Sequence, residues 1–134
     1  MLLDYKLEKY HHWVSLPLVK LERKLQYETA FDGIVKIYNV RSDNEKVNLL
    51  FENNFFGDFV HSSNTGAFFR MLTNKKSWPM TVLIYIDFDT ASLTEIKKTN
   101  SSWNIWTGID LGYGKHSIKI SPSEKIEHQI GNKI

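Results

Sequence analysis

The sequence predicts a single α+β domain built around a mainly antiparallel sheet of about five to seven strands. Residues 81–86 form the most apolar run of the chain, and short β-branched or aromatic segments separated by turn residues follow it. Leucines at helical spacing precede it, after Ser15. A chain of 134 residues is of ordinary size for one domain, so we expect one domain, residues 1–134.

An N-terminal amphipathic helix is predicted over about 16–28. Ser15 offers an N-cap and Pro17 suits the first turn. The following leucines recur at spacings of three and four residues, which is typical of an apolar helix face: Leu18, Leu21 and Leu25. The residues before this helix, 1–12, are expected to form a short helix or arm.

The next segments alternate between strand and turn composition. Residues 34–40 and 47–51 are predicted to pair as a hairpin across a polar turn, and 55–60 to form a third short strand. A loop rich in capping residues then precedes 66–73, which we predict as a short middle helix.

The C-terminal half is predicted to be a meander. Residues 81–86 suit a central strand buried on both faces. Further strands are expected at 92–98, 103–111 and 115–120, with a turn at Gly112-Tyr113-Gly114.

A short C-terminal helix is predicted last. Ser121-Pro122-Ser123-Glu124 has the spacing of a capping box with proline at the first helical position. The helix should run from Glu124 to about Ile130 and end at Gly131.

Composition narrows the classes of function. The chain has no cysteine, which removes disulfide frameworks, cysteine zinc sites and thiol nucleophiles. The net charge is +2, with eight basic against nine acidic residues in 1–69 and nine against six in 70–134. The charged N-terminus lacks the apolar core of a signal peptide and no apolar run approaches the length of a membrane span, so we expect a cytoplasmic protein with no membrane partner. No residue pattern indicates a cofactor, and we expect none.

Two aspartates at the end of the apolar strand resemble a metal site in their spacing. Asp87 and Asp89 share one face of a strand, and Asp110 could add a third oxygen. Strands also end in this pattern because aspartate favours turns, and we expect that role rather than a metal.

The histidines offer no spacing typical of a zinc site. His61 and His116 could form the two-histidine acid/base pair of a metal-independent ribonuclease, with Lys115, Lys119 or Arg70 stabilising the charged intermediate. Ordinary surface histidines are the alternative.

Basic residues interleave with aromatic ones in the second half, as single-stranded nucleic-acid binding requires. The candidate residues for this role are Arg70, Lys75, Lys76, Lys97, Lys98, Lys115 and Lys119.

Aromatic anchors ringed by charges are also typical of protein-binding surfaces. In a regular strand Trp103 and Trp106 would lie on opposite faces, so one should be exposed. The candidate partner-binding residues are Asp87, Asp89, Trp103, Trp106, Asp110 and Tyr113.

The favoured hypothesis is a non-enzymatic protein-binding domain, of the immunity or antitoxin type. It would neutralise a bacterial toxin, for example a nuclease, by masking its active site or substrate surface. The alternative is a small nuclease or single-stranded nucleic-acid-binding domain that uses the basic, aromatic C-terminal half. A third possibility is an apolar ligand held in a curved sheet.

Overall fold

The computed structural model describes residues 9–30 and 34–130, and it shows a mostly β protein rather than an α+β domain. Strand accounts for 61% of the structure and helix for 6%. The elements within the described ranges are β1 (His11–Ser15), β2 (Lys20–Ala30), β3 (Ile34–Ser42), α1 (Glu45–Phe51), β4 (Phe56–Ser62), β5 (Gly66–Leu72), β6 (Thr81–Asp87), β7 (Ser92–Thr99), β8 (Thr107–Gly112), β9 (Lys115–Ser121) and β10 (Glu124–Gln129).

Two sheets contain these strands. β1 to β7 form a seven-stranded sheet whose spatial order follows the sequence, and β8 to β10 form a three-stranded sheet with β9 in the middle. All neighbours run antiparallel. The predicted antiparallel pairing is therefore confirmed, although the strands are more numerous than expected.

One face of the large sheet encloses the larger apolar cluster. Val47 and Phe51 of α1 pack there against strands from β2 to β6. The rings of Trp13 on β1 and Phe69 on β5 lie 6.1 Å apart. In a flat sheet these strands would be separated by about 19 Å, because neighbours are ~4.8 Å apart. The sheet therefore curls strongly around this cluster.

The opposite face of the large sheet is covered by the small sheet. Ile118 and Ile120 of β9 pack with Phe68 of β5 and with Leu83 and Tyr85 of β6. No hydrogen-bonded strand pair joins the two sheets within the described residues, so side-chain packing connects them.

The most apolar segment is confirmed as a strand buried on both faces. β6 lies between β5 and β7, and residues 81–86 are all buried. Val82, Ile84 and Ile86 face the larger cluster, while Leu83 and Tyr85 face the small sheet.

The predicted helix at 16–28 is wrong, because most of this segment is the long strand β2. Leu21 and Leu25 are four residues apart, and a spacing of four places two residues on one face of a strand as well as of a helix. Leu18, which only the helical period places with them, is half exposed, whereas Leu21 is fully buried. Pairing with β3 along the strand supplies its backbone hydrogen bonds.

The predicted helix at 66–73 is also wrong. It is β5, whose residues alternate between the two clusters: Ala67 and Phe69 face the larger one, and Phe68 faces the small sheet. A strand buried on both faces shows no alternation in hydrophobicity, so a short apolar run does not distinguish it from a buried helix.

The predicted C-terminal helix is wrong for a different reason. Ser121 to Glu124 form the turn of the β9–β10 hairpin instead of a helix cap, and β10 pairs along β9. Ile126 and His128 are half-buried between exposed neighbours, which is the period of a strand. The predicted helix end at Gly131 lies outside the described residues.

The predicted strand at 47–51 is replaced by α1, the one helix of the described residues. The Asn44 side chain caps it by accepting from the backbone amides of Lys46 (3.0 Å) and Val47 (3.2 Å). Strand alternation would have buried Leu49, which is 67% exposed.

The expected arm at 1–12 is described only from residue 9 onward, and β1 begins within it at His11. No helix of the described residues is long and apolar enough to span a membrane.

Candidate binding surface and histidine cluster

Two of the predicted aspartates, Asp87 and Asp110, close turns. Asp87 Oδ1 accepts from the backbone amides of Asp89 (2.9 Å) and Thr90 (3.0 Å), which fixes the β6–β7 hairpin. Asp110 Oδ1 accepts from the amide of Gly112 at 2.7 Å. No group of three or more histidine or carboxylate side chains is placed to hold a metal within residues 9–30 and 34–130.

Asp87 and Asp89 also line an open groove of about 600 Å³ between the β6–β7 end and β10. We call it the acidic groove. Its lining consists of these two aspartates with Thr65, Tyr85, Thr90, Ser92, Thr94, His128 and Ile130. The structure therefore places these predicted residues on an accessible concave surface, at the edge of the contact between the sheets.

The turn between β8 and β9 presents a fully exposed aromatic ring beside this groove. Tyr113 has a φ of 56° and stands between Gly112 and Gly114, whose φ values are also positive. Gln129 Nε2 donates to the Tyr113 carbonyl at 2.7 Å, and the amide of Ile130 donates to the Gly114 carbonyl at 2.9 Å. The backbone under the exposed ring is thereby held to β10 and to the wall of the acidic groove.

Three large apolar side chains that the sequence did not single out are exposed in or before β8. They are Ile105, Ile109 and Leu111. Ile109 and Leu111 alternate with Asp110 in an edge strand, and this alternation would have identified them had the small sheet been predicted.

The two tryptophans that were predicted to bind a partner together with the aspartates lie far from the acidic groove. Trp103 and Trp106 precede β8, and both gather around Arg70 near Thr81, at the start of β6. Asp87 is at the other end of that seven-residue strand, about 20 Å away at ~3.3 Å per residue. Trp106 is buried and Trp103 half-buried, so neither presents the fully exposed ring expected of an anchor.

Arg70 is enclosed by these aromatic residues. Its guanidinium carbon lies 4.1 Å from the ring centre of Trp78 and 4.1 Å from that of Trp106. Burial lowers the pKa of Arg70 to about 9, and no carboxylate of the described residues forms an ion pair with it. Its hydrogen bonds go to Thr81 Oγ1 (3.0 Å) and to the carbonyls of Trp103 (2.7 Å) and Ser101 (2.8 Å). Arg70 is thus a core residue and is closed to a nucleic-acid phosphate.

The predicted basic residues divide between two locations. Lys115 forms an ion pair with Glu127 at 3.0 Å on the small sheet. Lys119 Nζ lies 5.8 Å from the ring centre of Trp103. At the same end of the molecule are the β5–β6 connection and the end of β7, which carry Lys75, Lys76, Lys97 and Lys98.

The structure brings His61 and His116 together, and adds a histidine that the sequence did not suggest. His61 Nε2 and His116 Nδ1 are 2.9 Å apart. His128 is the cross-strand partner of His116. All three rings contact Phe68, with centroid distances of 5.4 to 5.8 Å. We call these three side chains the histidine cluster.

Burial and mutual proximity lower the pKa values of two members of this cluster, His61 and His128. The pKa of His61 is lowered, first by burial and then by His116, with Asp110 opposing the shift. The pKa of His128 is lowered by burial and by His116. The contact between His61 and His116 requires one ring nitrogen to donate and the other to accept, so one ring must be neutral.

This geometry does not suit the predicted ribonuclease pair. His116 is 2% exposed and is hydrogen-bonded directly to His61, which leaves no room for a phosphate between them. A general acid and base must each reach a substrate atom. Arg70, one of the proposed charge-stabilising residues, is buried among its own partners.

Comparisons with protein-family models, with curated proteins and with solved structures found no match. Inferences about function therefore depend on the geometry of this molecule. Two surface features stand out from it: the exposed turn beside the acidic groove, and the lysine-bearing end near Trp103.

Proposed function

We propose that this protein is a non-enzymatic inhibitor that binds a bacterial toxin, most simply a nuclease, and masks its substrate surface. The observation that carries the proposal is Tyr113, whose ring is fully exposed on a turn held in place beside the acidic groove. A large aromatic ring on a fixed backbone gives contact area at a small entropic cost, which is why tyrosine is common at the centre of interfaces.

The charge of the neighbouring groove supports a basic partner. Asp87 and Asp89 line it, and Asp110 lies exposed on β8. A nuclease binds the phosphate backbone with lysine and arginine, so its substrate surface is basic. Acidic groups opposite such a surface would accelerate association and exclude the nucleic acid.

The exposed apolar residues of β8 extend this surface. Ile109 and Leu111 lie on the edge strand β8, which leads into the Tyr113 turn. Apolar residues that remain exposed in a small domain indicate an interface when they occur together. Trp103 and Trp106 are not part of the proposed surface, because they lie at the other end of the molecule.

The test is direct binding to the product of the open reading frame next to this gene, measured by titration calorimetry. Tyr113→Asn keeps a residue that tolerates a positive φ and should raise Kd by about 30-fold, the effect of losing a central anchor of about 2 kcal/mol. Leu49→Ala, which removes an exposed apolar side chain from α1, should leave Kd unchanged.

Asp89→Asn gives an independent readout. Removing this exposed charge should slow association and reduce its dependence on salt, with little change in dissociation. A neighbouring product that does not bind, or binding in which Tyr113→Asn and Leu49→Ala behave alike, would contradict the proposal.

A second function, single-stranded nucleic-acid binding, is favoured by the lysines near Trp103. At this end Lys119 lies over the half-buried ring of Trp103, and further lysines lie on β7 and on the β5–β6 connection. Affinity for an oligonucleotide, measured by fluorescence anisotropy, should fall steeply with salt and more gradually in Lys97→Ala/Lys98→Ala. A flat salt dependence would remove this candidate.

A further inference from the structure

We propose that the histidine cluster is a proton-operated latch: it holds the small sheet on the large sheet near neutral pH and releases it on acidification. The latch is a property of the protein itself and requires no partner. Only its consequence for binding rests on the proposed inhibitor function.

The cluster spans the contact between the sheets. His61 is on β4 of the large sheet, whereas His116 and His128 are on β9 and β10 of the small one. The 2.9 Å contact between His61 and His116 is a polar link across this boundary, which strand pairing does not bridge within the described residues. Phe68, fully buried, lies among the three rings.

Protonation acts against this arrangement. When both rings of the linked pair are charged, each nitrogen carries a hydrogen and the two donors face each other. Like charges then adjoin in a site already poor in water. His128 adds a third charge beside His116 and Phe68.

Few neighbouring groups can offset these charges. Asp110, opposite His116 on β8, favours a charged His61, but its carboxylate is exposed and bonded to its own turn. From β6, Tyr85 contacts His128, and Asp87 shares the groove with it. On β5, Arg70 is two residues from Phe68 on the same face, and as a cation it cannot offset these charges.

The direction of the effect follows from the lowered pKa values of His61 and His128. When the sheets separate, both histidines return to the ordinary pKa of 6.5, so the opened state binds more protons than the closed state at acidic pH. Closure is therefore fully stabilised above pH 6.5 and loses stability as the pH falls below it. Each proton taken up changes the opening constant by up to about tenfold per pH unit.

The position of the hinge follows from the opposite end of the small sheet. There the segment before β8 is fixed to the large sheet by Arg70, through the Trp103 and Ser101 carbonyls and the stacked Trp106 ring. Separation should thus begin at the histidine end, which carries the Tyr113 turn. If the proposed inhibitor function holds, acidification would dismantle its binding surface.

Amide hydrogen exchange between about pH 7.5 and about pH 5 tests the latch on the protein alone. After correction for the intrinsic pH dependence of exchange, opening of β9 and β10 should increase by up to about tenfold per proton per pH unit, while β2 and β3 stay protected. His61→Gln/His128→Gln should flatten this response. His12→Gln, on exposed β1, should retain it.

Wild-type protein gives a second measurement that does not depend on the variants folding. The imidazole resonances of His61 and His128 should titrate below pH 6.5, in step with the loss of protection in β9 and β10. Opening that is independent of pH, or equal in both sheets, would overturn the latch. Because no partner is used, this outcome is distinct from failure of the inhibitor proposal.

Discussion

Arg70 shows how this core accepts a charge that no acidic side chain of the described residues pairs with. Two indole rings and backbone carbonyls take the place of a carboxylate. Planar stacking and several directed donors are properties of a guanidinium that an ammonium lacks. The arginine thereby connects the segment before β8 to the large sheet.

Arg70→Lys should therefore be strongly destabilising. A lysine would leave the Trp103 and Ser101 carbonyls short of donors and would bury a strongly hydrated ammonium. We expect the free energy of unfolding to fall by about 3 kcal/mol, measured in urea. Arg41→Lys, at an exposed ion pair, is the matched control and should change stability little.

Gly108 provides a residue-scale test of the contact between β4 and β8. A Cβ at this position would lie 2.3 Å from His61 Cγ. Gly108→Ala must therefore displace the His61 ring, and with it the His116 contact. Overpacking of this kind costs about 1 to 3 kcal/mol, measurable as a lower urea midpoint.

Gly57→Ala is the control for that substitution. Its Cβ would meet Arg70 Cδ at 3.4 Å, an ordinary contact, so the change should be tolerated better. Equal losses in the two variants would contradict the tight approach of β8 to His61.

At the scale of elements, two of the errors in sequence interpretation share one cause. A spacing of four residues satisfies a helix and a strand alike, and it occurs at Leu21 and Leu25 in β2 and at Val47 and Phe51 in α1. The first segment was predicted as helix and is strand, and the second was predicted as strand and is helix. The deciding residues were Leu18 and Leu49, whose exposure only tertiary structure reveals.

Leucine substitutions test the strand assignment of β2. Leu21→Ala should lower the free energy of unfolding by about 2 to 5 kcal/mol, because it empties a fully buried site. Leu18→Ala should change it by less than about 0.5 kcal/mol. Comparable losses, measured by urea unfolding, would favour the helix and contradict the strand.

At the scale of the whole molecule, the sequence predicted antiparallel pairing and the central strand, but it did not predict the small sheet as a separate layer. The assignment of the C-terminal segment decided this. A helix in this segment would give no reason to place His128 near His116. The observed hairpin with β9 places His128 opposite His116. Because the sequence did not reveal the order of the layers, residues from both ends of the molecule were grouped into one predicted surface. Asp87, Asp89 and Tyr113 lie at one end, and Trp103 and Trp106 lie at the other.

Global stability should also depend on pH. Since the pKa values of His61 and His128 are lowered in the folded protein, the unfolded chain binds more protons below pH 6.5. The free energy of unfolding in urea should be flat above that pH and decline beneath it. A decline of the same size in His61→Gln/His128→Gln would assign the dependence to other groups.

The order of strands in the two sheets has a consequence for how the chain is made. Every strand pairs with the one that precedes or follows it in sequence, so pairing partners are close along the chain. The entropic cost of loop closure is then modest for a β protein, and each hairpin can form soon after its second strand leaves the ribosome. The large sheet precedes the small one in the chain, so it is available as a template before the histidines of β9 and β10 are synthesised.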